Sequence, residues 1–302
     1  MTEVLLIGLR VIQYAAAAMV LGVPAFMLYS HAAMAGVRPR WAEILTLSAA
    51  AVLLVATLAA LVAQTAVMAG SMAEAVKPET LGFVISGTGL GAAYVVRAAL
   101  ALLALLLALA LRGDVLWRSL IVPAVLIAAS FAWTGHGGAT EGAWRWPHLA
   151  ADIVHALAAL IWIGALAAFV VLARRRHGAD GSAEALAAAL VGFANVGAVA
   201  VAVLVLSGLV NAWVLVGPDG LQAAPRTPWG LLLAAKLAAF AGMVTLAVLH
   251  RYRLAPRLSA AGASAAPHLA RLRRTLAVEF ALGLIVLGLV AVMGLLPPPA
   301  AL

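Results

Sequence analysis

Apolar residues run almost without interruption through eight stretches of the chain, and polar residues gather in the gaps between them. The stretches cover residues 4–28, 42–67, 90–111, 117–134, 149–173, 186–216, 229–250 and 275–296. About 20 apolar residues suffice for a helix to cross a hydrocarbon core, so each stretch predicts a spanning helix. Backbone groups in lipid must bond within their own segment, which rules out open strands. The expected fold is therefore all-α: a polytopic membrane bundle of eight transmembrane helices, built as one integral membrane domain over residues 1–302. The sixth stretch is long enough that it must tilt, kink or protrude. The fourth is the shortest and carries Pro123. The opening residues MTEVLLIGLRVIQY lack the basic region and cleavage site of a secretory signal, and are expected to begin the first span.

Composition agrees with the pattern. The chain is 66% hydrophobic and 10% charged, against roughly 25% charged in soluble domains. Its net charge of +8 has a topological explanation. Thirteen basic residues fall in alternate gaps, at Arg38, Arg40, Arg112, Arg118, Arg174 to Arg176, Arg251, Arg253, Arg257, Arg271, Arg273 and Arg274. The other gaps hold only Lys77, Arg145 and Arg226. The positive-inside bias makes the arginine-rich gaps cytoplasmic, so both termini are expected to be periplasmic. The charge is then no sign of a nucleic-acid partner; the partner it implies is membrane lipid. The Gly-rich SGTGLGA at 86–92 resembles a phosphate-cradling turn, but no predicted strand precedes it, and that context is required. There is no cysteine, so a metal here would need His, Met, carboxylate or backbone oxygen.

The polar residues inside the spans are unevenly placed. Arg10, Gln13, Arg97, Asn211 and Lys236 form a cluster in the outer third, together with Asp152 and His155. The inner half holds chiefly Glu279, with His250 at its edge, as candidate inner stations. An ionisable residue within a span costs at least ~2.5 kcal/mol on insertion scales, so it needs a partner or a task. Arg10, Arg97 and Lys236 could pair with Asp152 and cap backbone carbonyls, a purely structural use. Three of the seven histidines fall in GHGGATEGAWRWPHLAADIVH, residues 135–155. His148, Asp152 and His155 stand at i, i+4 and i+7, on one helix face. His136 lies between glycines, which free the backbone to fold over that face. Imidazoles with an optional thioether suit copper. His136, His148 and His155 are the candidate ligands. Asp152 is either a further ligand or the group that fixes the His155 tautomer. Met68 and Met72, at i and i+4 at the end of the second span, are candidate thioethers. The remaining histidines, His31, His177, His250 and His268, sit in or beside arginine-rich gaps and are expected to be solvated.

DIVHALAALIWIGAL (152–166) resembles the His and Trp-Gly helix of the CopD copper-resistance family. So do SGLVNAWVLVG (207–217), TPWGLLLAAKLAAFAGMVTLAVLHRYRLAPRL (227–258) and LRRTLAVEFALGLIVLGLVAVMGLLPP (272–298), with GHG at 135–137 in front of them. The likeness is strongest over 135–298; the first half matches only in character. The resemblance implies a bacterial inner-membrane protein that is not an enzyme and works in copper homeostasis. Its matched polar positions are His136, His155, Asn211, Lys236 and Glu279. It also implies a separate periplasmic CopC-like partner that binds copper. The function expected is copper binding at the periplasmic face and copper transport across the membrane. A non-transporting copper receptor or assembly factor is one alternative. A membrane b-type cytochrome is another, with the three cations pairing to propionates. Haem is not favoured, because only His155 is clearly inside a span on the outer side. Oxidation state, transport direction and oligomeric state stay open at the level of sequence.

Overall fold

A computed structural model describes residues 2–32, 40–174, 182–260 and 265–301. Among these residues there is no strand. Eight helices are long and apolar enough to cross a membrane. We number them α1 (Thr2–Tyr29), α2 (Arg40–Ala69), α3 (Gly89–Ala110), α4 (Gly113–Ser130), α5 (Arg145–Arg174), α6 (Ser182–Gly220), α7 (Pro228–Leu249) and α8 (Ala265–Met293). They correspond one to one with the eight stretches. An even number of crossings brings residues 2 and 301 to the same end of the bundle. The segment between α4 and α5 lies at that end too, and we call it the His136 end.

The helix boundaries have local causes. Thr88 stops the helix Pro78–Gly87 and starts α3, its hydroxyl accepting from Gly91 N at 2.9 Å. SGTGLGA is therefore a helix-to-helix cap, not a phosphate-cradling turn. Thr227 caps α7 in the same way, with Pro228 in the first turn, where its missing N–H costs nothing. Pro147 sits two residues inside α5, which begins at Arg145. The long α6 breaks at Gly217, whose φ of 68° is a conformation glycine adopts without strain. Beyond α7 the chain continues through one π-helical turn, His250–Leu254, into a helix over Ala255–Ala260.

α5 is the most buried span and α7 the least. α5 packs against α1, α6, α8 and α4; α1 also packs against α2 and α4. The approach of α1 to α5 is set by two glycines. A Cβ on Gly22 would lie 2.6 Å from the Gly164 Cα, and one on Gly164 would lie 2.3 Å from the Ala18 carbonyl oxygen. Small residues let helix backbones meet this closely in membranes. At the far end of the bundle, α6 leans on α5 and α7 leans on α8. Between α6 and α7 this leaves a cleft of about 290 Å³.

Candidate functional site

The His136 end is organised around Arg97 of α3, which is 1% exposed. Its Nη1 donates to Gln13 Oε1 of α1 at 3.0 Å. Its Nε donates to Ser130 Oγ at 2.8 Å and its Nη2 to Ser130 O at 2.9 Å and Thr134 Oγ1 at 3.1 Å. Its guanidinium also covers the Phe131 ring, 3.8 Å from the centroid. The residues it grips are the last turn of α4 and the 3₁₀ turn Phe131–Thr134, directly ahead of His136. Arg97 thus caps a carbonyl rather than pairing with Asp152. Four of its five N–H donors are committed to the protein. Arg10 is buried near Gly294 and reaches Gln64 Oε1 at 3.5 Å. Gln13 also accepts from Thr57 Oγ1 at 3.3 Å.

The three candidate histidines are held by different neighbours. His136 Nε2 lies 3.1 Å from the Met293 carbonyl oxygen at the end of α8. A carbonyl only accepts, so Nε2 carries the proton and Nδ1 keeps its lone pair. His148 is 1% exposed, and its Nδ1 lies 2.7 Å from Thr140 Oγ1. Thr140 also donates to the His136 carbonyl at 3.2 Å, which joins the two histidine positions through one threonine. His148 is therefore an interior residue, unlike its neighbours Trp144 and Trp146, which are exposed as interfacial tryptophans are. His155 Nδ1 lies 3.0 Å from Ser207 Oγ of α6. The single Ser207 hydroxyl proton goes to Val203 O at 2.5 Å, so Ser207 accepts from His155. That leaves the lone pair of His155 on Nε2.

Several expectations need correction. The group that fixes the His155 tautomer is Ser207, not Asp152. Asp152 points toward the glycine loop instead: a Cβ on Gly137 would come within 2.8 Å of its Oδ2. Asp152 and Lys236 of α7 act on each other electrostatically, without a direct ion pair. Met68 and Met72 do not share a helix. α2 ends at Ala69, Gly70 turns with a φ of 80°, and Ser71 caps a new helix beginning at Met72. Both methionines are exposed, at 53% and 42%. Among the described residues, no three His, Asp or Glu side chains converge as a ready-made metal site. Asn211 is half-buried, and its Oδ1 has no hydrogen-bond partner.

The far end of the bundle holds a polar site that composition did not foretell in detail. His250, expected as an inner station beside Glu279 and also as solvated, is 5% exposed, and Glu279 is 1% exposed. Trp162 Nε1 of α5 donates to Glu279 Oε1 at 3.1 Å. His250 Nδ1 lies 3.0 Å from Glu279 Oε2, and His250 Nε2 lies 2.9 Å from Thr275 Oγ1. His250, Glu279 and Trp162 all line the cleft. Of the other histidines, His31 is exposed and lies 3.4 Å from Asp114, His268 is half-buried, and His177 lies outside the described residues.

Sequence reasoning missed Ser130, Thr134, Thr140, Ser207 and Thr275, all hydroxyls that orient a charged or imidazole group. It also passed over Trp162. That residue stands seven positions after His155, so it falls on the stripe formed by His148, Asp152 and His155. These four side chains thus share one face of α5, with only Ala, Leu and Ile between His155 and Trp162.

Comparison with known proteins identifies the family. A family model described as "Copper resistance protein D-like, N-terminal domain" matches residues 1–146, and the model "Copper resistance protein D" matches 187–293. The first half, which resembled the family only in character, therefore has a matching model of its own. The copper resistance protein D of Pseudomonas syringae pv. tomato is 34% identical over 309 aligned positions, covering 99% of this chain and 98% of that protein. The inner membrane protein YebZ of Escherichia coli K12 is 30% identical over 55% of each chain. No solved structure matches. With its eight apolar helices, the chain is a multi-pass inner-membrane protein, and it belongs to the copper resistance protein D family.

Proposed function

We propose that this chain receives copper at the His136 end, which faces the periplasm, and passes it between its helices toward the cytoplasm. The observation that carries this reading is the bonding of the imidazoles. His136 and His155 each spend one ring nitrogen on a protein acceptor and keep the other as a bare lone pair. A neutral, oriented imidazole with one free nitrogen is the form that binds a metal ion, and hydrogen bonding through the other nitrogen sets the ring and its basicity. His148 lies between them along the chain, tied to the His136 segment through Thr140. Asp152 sits beneath the same glycine loop and supplies negative charge to an arriving cation. A separate periplasmic CopC-like protein delivers the ion, as the family resemblance implies, and copper is cargo rather than a resident cofactor.

The onward route is the α5 stripe from His155 to Trp162 and the cleft. Conduction needs sites that an ion can both enter and leave. A non-transporting receptor would bind the same ion, so the test must separate the two. Purified protein in vesicles is expected to accumulate copper, and His155→Ala to lose both bound copper and uptake. Binding without uptake would replace transport with reception. Equal copper content in wild type and His155→Ala would overturn the site itself.

A further inference from the structure

Glu279 and His250 meet at a distance that calls for a proton or a metal ion between them. Thr275 Oγ1 donates its one proton to the carbonyl oxygens of Arg271 and Leu272, each at 3.1 Å. It is therefore an acceptor for His250, and His250 Nε2 carries the ring proton. The lone pair of Nδ1 then stands 3.0 Å from Glu279 Oε2. Oε2 is buried and receives no aligned hydrogen bond, while Oε1 is satisfied by Trp162. Two acceptors at this distance repel unless a positive charge lies between them.

From this geometry we infer that Glu279 and His250 form a second metal site, taking a divalent cation of borderline softness, with Cu(II) foremost. The inference rests on the reading of the chain as one that handles copper. The spacing fits. Two donors about 2.0–2.2 Å from a metal, set about 90° apart as in tetragonal Cu(II), stand about 2.8–3.1 Å from each other. The chemistry fits as well. One imidazole and one carboxylate make a nitrogen and oxygen set, which favours Cu(II) over the soft Cu(I). His250 and Glu279 both line the cleft of about 290 Å³, from which water would complete the coordination. The neighbouring cation, Arg251, lines the same cleft, but one of its guanidinium nitrogens donates to Ala194 O at 3.0 Å. α6 presents no titratable group to the cleft, and Tyr252 is the remaining titratable group on α7 and its continuation.

The test uses the full chain in detergent, stripped of metal and titrated with Cu²⁺, with metal analysis and electron paramagnetic resonance as readouts. The background carries His136→Gln and His155→Gln, so that copper at the other end is removed. One copper is expected to remain, with hyperfine coupling from a single nitrogen. Glu279→Gln retains an oxygen for Trp162 yet removes the charge, and His250→Asn removes the nitrogen. Each is expected to weaken Cu²⁺ binding by more than about 100-fold, since even outer-shell losses cost 10–100-fold. Unchanged helicity and elution guard against misfolding in either variant. Bound copper should quench Trp162, and Trp162→Phe should abolish that part of the quench. Wild-type Cu²⁺ affinity in both Glu279→Gln and His250→Asn would overturn the site, leaving a pair bridged by a proton alone. Binding of Cu(I) but not Cu(II) there would overturn the assigned class. If the His136→Gln, His155→Gln background loses no copper relative to wild type, the His136-end reading fails, and the second site is judged separately.

Discussion

Arg97→Met offers a sharp test of how the His136 end is built. Arg97 makes four hydrogen bonds, and bonds to charged groups contribute about 1.5–3 kcal/mol each. Adding them gives a figure far too large, because most partners keep a second bond. Gln13 Oε1 still accepts from Thr57, the Ser130 hydroxyl still donates to Ile127 O at 2.6 Å, and the Thr134 hydroxyl still donates to Phe131 O at 3.0 Å. The Ser130 carbonyl, at the N-cap of that 3₁₀ turn, loses its charged donor, at a cost of about 1.5–3 kcal/mol. Lost stacking on Phe131 adds about 1–2 kcal/mol for a desolvated cation over a ring. Removing a buried charge gives some of this back. The net destabilisation is therefore about 2–4 kcal/mol, which for a chain of this size lowers a thermal midpoint on the order of 5 °C. The assay is thermal unfolding in detergent, paired with copper titration. Arg97→Met is expected to melt earlier and to bind copper less tightly, because the turn that positions His136 is released. A wild-type midpoint together with wild-type affinity would show that the Arg97 network does not hold that turn.

Ser207→Ala removes the acceptor that orients His155 and is expected to weaken copper binding by about 10–100-fold, measured by titration, with the thermal midpoint little changed. Gly164→Ala places a methyl group against the Ala18 carbonyl; overpacking of this kind costs about 1–3 kcal/mol or more, and early melting in detergent checks it. Because the chain has no cysteine, single cysteines at Trp146 and Tyr252 are expected to label from opposite faces of intact cells, Trp146 from the periplasm.

The spans were legible because continuous apolar length is a strong signal and the arginines fall in alternate gaps. The gap 68–89 was not, although Ser71 and Glu74 stand in the spacing of a helix cap; that cap separates Met68 from Met72. Asp152 seemed the natural partner for His155 because it lies one turn away. The actual partner, Ser207, is 52 residues distant and looks ordinary in a helix rich in small residues. His250 was named with Glu279 as an inner station, but its arginine neighbours also suggested solvent, whereas packing turned it inward to Glu279. In each miss, a local cue lost to a contact between helices that one strand of letters does not record.

Where α1 and α5 touch backbone to backbone at Gly22 and Gly164, there is no layer of side chains to act as a bearing. Sliding or parting there would strip contact from the most buried helix of the bundle, so this pair forms a fixed spine. Any rearrangement of the bundle would then fall on helices outside this seam, of which α7, beside the cleft, is the least buried.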